Sequence, residues 1–176
     1  LILNSSYHQM QNSEIADRLI YNALVNYEPE ASQSEDMTVL YLLAQLQSKM
    51  GAAYLHCSDY YKSYHSLKKA IDNYKKIETC LFNYQPPLCY ELYVDFAECW
   101  YQYYHLLKQL KLKQLRIPTS EGAYYPKTCL TEAMNNINKA LTINSVYGIR
   151  ASDLRENIFN ENAEMRKDYE ASFMTD

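Results

Sequence analysis

Four histidines (His8, His56, His65, His105), five cysteines and 21 carboxylates are the side chains with which this sequence could do chemistry. No histidine stands four residues from another, so no helical pair of metal ligands and no H-E-x-x-H arrangement exists. Cys57, Cys80, Cys89, Cys99 and Cys129 form no C-x-x-C and no zinc spacing. His56 and Cys57 are adjacent, but neighbouring residues on a helix point in different directions, so they do not make a ready nucleophile and base. Gly51, Gly122 and Gly148 are isolated, which leaves no glycine-rich phosphate loop. The expectation is a non-enzyme without catalytic residues, metal or cofactor. What stands out instead is Glu91, Asp95 and Glu98, spaced four and three and therefore on one helix face. Such a stripe can receive a basic or amphipathic protein segment, and it can equally be a plain solvated face.

Composition narrows the partner. Lys and Arg number 17 against 21 acids, a net charge of −4, so no general surplus of cations disposes the chain to a phosphate backbone. Two local basic strips remain: 62–76, with Lys62, Lys68, Lys69, Lys75 and Lys76 beside Tyr60, Tyr61 and Tyr64, and 108–116. They define the alternative reading, a nucleic-acid-associated helical regulatory domain. The odd set of cysteines sits in apolar helical patterns, where Cys acts as a small hydrophobe, so a reducing, intracellular (cytoplasmic or nuclear) setting is expected. No 18-residue apolar run is present, so no membrane span is expected. The chain starts at Leu1 rather than Met, which suggests a piece of a longer protein.

The elements that must position these residues are helical. Only 3 Gly and 5 Pro occur in 176 residues, too few for a turn-rich β fold. Apolar spacing is three and four, and it predicts helices over 12–26, 37–57, 59–82, 87–112, 127–143 and 152–173. Breaks fall at 26–36, 83–87, 117–126 and 144–148, with Ser58-Asp59 splitting the second and third helices. Ser58 or Asp59 is expected to cap the third helix, Thr128 or Thr131 to start the fifth and Ser152 the sixth. In the last helix Leu154, Ile158, Met165, Tyr169 and Phe173 form one stripe. That is the pattern of a capping helix, which could also serve self-association. The tyrosine clusters at 60–64 and 101–104 suit helix seams or a binding patch alike.

The second and third helices carry a repeat: Met50-Gly51-x-x-Tyr54, then Ser63-x-x-x-Leu67-x-x-Ala70. Small residues fall where two antiparallel helices cross, and large ones fill the space between. The fourth and fifth repeat it with Tyr93-x-x-Phe96-Ala97-x-x-Trp100 and Ala133-x-x-x-Ile137-x-x-Ala140, and Ala16-x-x-x-Ile20-x-x-Ala23 is a lone second half. The pattern resembles the tetratricopeptide repeat (TPR) over about residues 13–143. Gln47 stands where a large residue belongs, and Ser63 and Leu67 replace the usual Ala and aromatic. The 46–47-residue spacing between matched positions would also suit a HEAT-like pair.

The resemblance implies an all-α, TPR-like α-solenoid segment in a single domain, 1–176. It would hold a half repeat (1–30), two repeats (36–83 and 87–143, the latter with an inserted loop at 112–127) and a C-terminal capping helix (152–173). It implies a scaffold that binds a protein or peptide partner on the first helices of its pairs. The matched groove positions are Gln45, Ser48, Lys49, Ala52 and His56, then Glu91, Asp95, Glu98 and Gln102. Ala52 and Glu98 stand where relatives that clamp a carboxylate tail would place Asn, and Glu91 and Asp95 would repel one, so that mode is not expected.

Overall fold

The computed structural model describes residues 22, 26–80, 87–116, 125–143 and 148–172. Among these it is all-helical, with no strand. The expected first helix, with Ala16, Ile20 and Ala23, lies almost wholly outside the described residues, as do Phe173 and the break at 83–86. Six helices follow a short helical stretch at 26–31: α1 (Met37–His56), α2 (Tyr60–Cys80), α3 (Pro87–Leu112), α4 (Pro126–Ile143), α5 (Ile149–Glu161) and α6 (Ala163–Ser172). They belong to two compact units, Leu1–Phe82 and Asn83–Asp176.

In the first unit, the 26–31 stretch runs through the expected break at Asn26–Glu30, and the chain leaves the helix at Ser32. There the Ser32 hydroxyl donates to the Pro29 carbonyl (3.1 Å). Asp36 then caps α1, accepting from the backbone N–H of Thr38 (2.8 Å) and Val39 (3.4 Å). α1 ends in a left-handed turn: Ser58 has φ 61°, its N–H donates to the Leu55 carbonyl, and the Asp59 N–H donates to the Tyr54 carbonyl. Of the two candidate caps for α2, Asp59 does the work, accepting from the Lys62 N–H (3.2 Å). That bond is the main reason its carboxyl is held below the usual range.

α1 and α2 form an antiparallel pair. Gly51 lies against Leu67 so closely that a Cβ added there would come within 2.5 Å of Leu67 Cγ. Beside it the buried Ser63 hydroxyl donates to the Gly51 carbonyl (2.8 Å). Met50, Leu67 and Ala70 are buried as the repeat pattern requires, and Tyr54 packs at the edge of that core. Gln47 is buried too, in a polar relay. Its amide donates to Glu28 Oε1 (2.9 Å) and its oxygen accepts from Asn73 Nδ2 (2.8 Å), while Lys69 Nζ also donates to Glu28 (2.7 Å).

The second unit is built on α3. Leu92, Phe96, Cys99, Tyr103, Leu106 and Leu110, alternately four and three apart, form one buried stripe, and Val94, Ala97 and Trp100 widen it. Phe96 stacks on Trp100 (centroids 6.0 Å), which meets Tyr103 edge-on (6.4 Å). α3 ends as α1 does, with Gln114 at φ 55° and the Leu115 N–H on the Leu110 carbonyl. α4 starts at Pro126, where a residue without an N–H loses nothing, rather than at Thr128 or Thr131. It returns antiparallel, bringing Lys139 Nζ over the Tyr93 ring (5.3 Å).

The expected closing helix differs in two ways. It starts at Ile149, after Gly148, rather than at Ser152. It also breaks at Asn162, which leaves the helical conformation (φ −143°, ψ 89°) and offers its side-chain oxygen to the Met165 N–H (3.2 Å). An amide that caps the following turn competes with continuing the helix. α6 therefore folds back on α5. Phe159 meets Tyr169 (5.3 Å), and Arg155 donates to the Tyr169 hydroxyl (2.8 Å). Leu154 and Ile158 are buried within the unit.

Candidate functional site

The site grows from the polar face of α3. Glu91, Asp95 and Glu98 do share one face, and a residue outside the expected set shows it: all three hold the guanidinium of Arg150, from the first turn of α5. Arg150 Nη1 donates to Glu91 Oε2 (2.9 Å), and Nη2 to Asp95 Oδ1 (2.5 Å) and Glu98 Oε2 (2.7 Å). Nε reaches Glu98 Oε1 (3.0 Å), so Glu98 takes the planar fork in a bidentate way. Burial works against the Arg150 charge, but the hydrogen bonds to Glu98 and Asp95 outweigh it and raise its affinity for the proton. The stripe expected to await a basic group already holds one from its own chain.

Arg150 left no usable signal in the sequence, because the expected helix began at Ser152 and put it outside, and only the start at Ile149 places it in a first turn. A cation in the first turn of a helix faces the positive end of the helix dipole, so that position favours carboxylates. An arginine there calls for acids from another element, although nothing in the spacing says which.

A second ion pair ties the other end of α5 to the same helix. Lys108 Nζ donates to Glu161 Oε2 at 2.6 Å, and the Tyr104 hydroxyl reaches the same oxygen at 3.4 Å. The bond to Lys108 holds the Glu161 carboxyl below its ordinary range, and the bond to Glu161 raises Lys108. Burial pushes the His105 imidazole down and the Tyr101 and Tyr104 phenols up. Because 91–98 meets 150 and 104–108 meets 161, α5 runs alongside α3 in the same direction, with α4 antiparallel to both.

Between α3 and α5 lies an open groove of about 450 Å³, lined by Tyr90, Glu91, Glu98, Ile149, Arg150 and Asp153 among others. Counting Asp95, four carboxylates face one guanidinium here, which leaves three negative charges. Ile149 is 72% exposed at the edge, and the hydroxyl of the nine-tenths buried Tyr90 has no hydrogen-bond partner among the described residues. Gln102 continues the stripe one turn beyond Glu98 and is half-buried. Gln45, Lys49 and His56 belong to the first unit, where they follow one another along one face of α1 with Ser48 and Ala52 beside them. Lys49 and His56 are exposed, and Gln45 is half-buried.

Of the basic strips, Lys62 pairs with Asp59 (3.1 Å), Lys69 with Glu28 and Lys108 with Glu161. Cys99 and Cys129 are buried, and burial pushes the Cys129 thiol up to about 12, out of reach of thiolate chemistry at neutral pH. Among the described residues no three His, Cys, Asp or Glu side chains are grouped so as to hold a metal ion, and no helix is long and apolar enough to cross a membrane. The chain matches no family model, no curated protein and no solved structure.

Proposed function

We propose that this chain is a non-catalytic protein-interaction scaffold of TPR-like helical pairs, and that its partner offers a basic or amphipathic segment to the first helices of those pairs. The observation that carries the reading is the placement of α5 alongside α3, in the same direction, with an acidic groove between them. Stacked antiparallel pairs place their first helices side by side in this way and leave a continuous face for a ligand. The folding back of α6 on α5 supplies a third pair after α1/α2 and α3/α4, and the buried small residues Gly51, Ser63, Ala97 and Ala140 support the resemblance. Recognition rests on charge and shape, with the three negative charges that remain after Arg150 is paired drawing a partner's guanidinium or ammonium.

Fluorescence anisotropy with labelled amphipathic peptides tests this. A Lys/Arg-bearing peptide should bind, weaken with added salt, and bind about 2- to 30-fold less tightly to Glu91→Gln/Asp153→Asn, since each exposed pair is worth roughly 0.2–1 kcal/mol. Equal binding of a charge-inverted peptide, or an unaffected double variant, refutes the groove. Salt-sensitive binding of a single-stranded oligonucleotide that outcompetes the peptide would support the nucleic-acid alternative instead.

A further inference from the structure

α3 and its extension form a charge dipole. Residues 87–100 carry Glu91, Asp95 and Glu98 and no base, and residues 101–116 carry Lys108, Lys111, Lys113 and Arg116 and no acid. The polarity suits the helix macrodipole, which favours acids at the N-terminus and bases at the C-terminus. That accounts for charge within the terminal turns, but not for the apolar side chains exposed beside it. At the C-terminal end of α3 Leu112 is 68% exposed and Leu115 48%, beside the exposed cations Lys111 and Arg116, and at the start of the antiparallel α4 Tyr125 is 76% exposed beside the exposed Lys127. The left-handed turn at Gln114 pins this tip to the last turn of α3, and no acid lies among its described residues 111–116 and 125–128. Large apolar side chains grouped with one sign of charge mark a contact surface.

The complementary surface is on the same unit. The groove between α3 and α5 carries three net negative charges and the exposed Ile149 at its edge. The tip cannot reach it within one molecule. Glu91 and Leu112 are 21 residues apart on one helix, about 32 Å at 1.5 Å per residue. We propose that the basic, apolar tip of one copy docks in the acidic α3–α5 groove of a second copy. This rests on the reading that the groove takes a basic segment, and it names that segment as residues 111–116 and 125–127 of another molecule. The contact is heterologous, tip to groove, so it leaves a free tip and a free groove at the ends and continues into open-ended oligomers.

Sedimentation velocity on the 176-residue chain decides it. At low salt the weight-average mass should rise above 20.7 kDa with concentration, and return to the monomer as salt is added. Lys111→Glu/Arg116→Glu/Lys127→Glu should weaken association by about tenfold or more, as should Glu91→Lys/Asp153→Lys. An equal mixture of the two variants should associate again, because each tip then meets a groove of opposite sign. Asp153→Lys alone and Leu112→Ser/Tyr125→Ser should also associate less. These guard against misfolding, since Asp153 is exposed and Leu112 and Tyr125 lie mostly in solvent. A wild-type chain that stays monomeric at every concentration overturns the proposal, as does association indifferent to tip reversal or a mixture that fails to recover. If self-association fails while the basic peptide still binds, the groove reading stands and only the second copy is excluded. Loss of both refutes the groove itself.

Discussion

Gly51→Ala is the sharpest test of the α1/α2 packing, because two known effects oppose each other there. Gly51 lies inside α1, where alanine is favoured over glycine by about 0.8–1 kcal/mol. Against that, the added Cβ would meet Leu67 Cγ at 2.5 Å, Cδ2 at 2.7 Å and the Leu67 backbone nitrogen at 3.2 Å. Cγ is not the free end of a flexible chain, Leu67 is fully buried, and the backbone nitrogen cannot swing aside. Forcing a methyl into such a contact costs about 1–3 kcal/mol before the propensity gain is subtracted. Gly51→Ala should therefore lower the urea midpoint with an unchanged m-value, by up to about 2 kcal/mol net. Leu67→Ala alone should cost about 2–5 kcal/mol through its cavity. In the Leu67→Ala background the Cγ and Cδ2 contacts are gone and only the 3.2 Å approach to the backbone nitrogen remains, so Gly51→Ala should become near neutral or stabilising by less than about 1 kcal/mol. The sign change is the signature. If Gly51→Ala stabilises the wild-type chain, or destabilises equally in both backgrounds, the close approach at this crossing is not what places glycine there.

Three further outcomes follow from the same geometry. Ser58 and Gln114 hold left-handed φ values at the ends of α1 and α3, so Ser58→Gly and Gln114→Gly should each stabilise by about 0.5–1 kcal/mol in thermal or urea unfolding. Burial depresses His105 below 6.5, and Lys108 depresses Glu161 below 4.5, so both favour the native state at neutral pH. That contribution is lost as pH falls, first through His105 and then through Glu161, and His105→Gln should flatten the upper part of the acid limb of a melting-temperature profile. Gln47→Leu or Asn73→Leu alone should cost about 1–3 kcal/mol by stranding a buried amide, whereas the double change should come closer to wild type than the sum of the singles. Strict additivity would show that the two amides do not share a bond.

Much of the helix layout was readable because it depends on local chemistry. Apolar residues at three- and four-residue spacing gave α1 to α4 within a few residues, and Gly51 with Leu67 marked a close crossing before any coordinates. The face shared by Glu91, Asp95 and Glu98 was readable for the same reason. Arg150 was not, since bonds spanning 52 to 59 residues leave no local period. The break at Asn162 was hidden because the stripe from Leu154 to Tyr169 reads as continuous. One side-chain cap and a turn of backbone decide the reversal, and apolar periodicity does not report them.

The two matched pairs also show how one pattern position can serve different packing chemistry. Gln47 and Tyr93 occupy the same place at the start of the motif, and Lys69 and Lys139 precede the matched alanines, Ala70 and Ala140. In the second unit the lysine lies over the Tyr93 ring, a contact within the pair that tolerates modest displacement. In the first, the lysine and the glutamine converge on Glu28, which belongs to the preceding helical stretch. A buried glutamine is a poor filler but a demanding partner, since its amide and its oxygen both need bonds at fixed geometry. Its departure from the repeat pattern therefore reads as specificity. A glutamine at this place needs both of its bonds, one to Glu28 and one to Asn73, and so ties the segment around Glu28 and α2 to α1 in a single register.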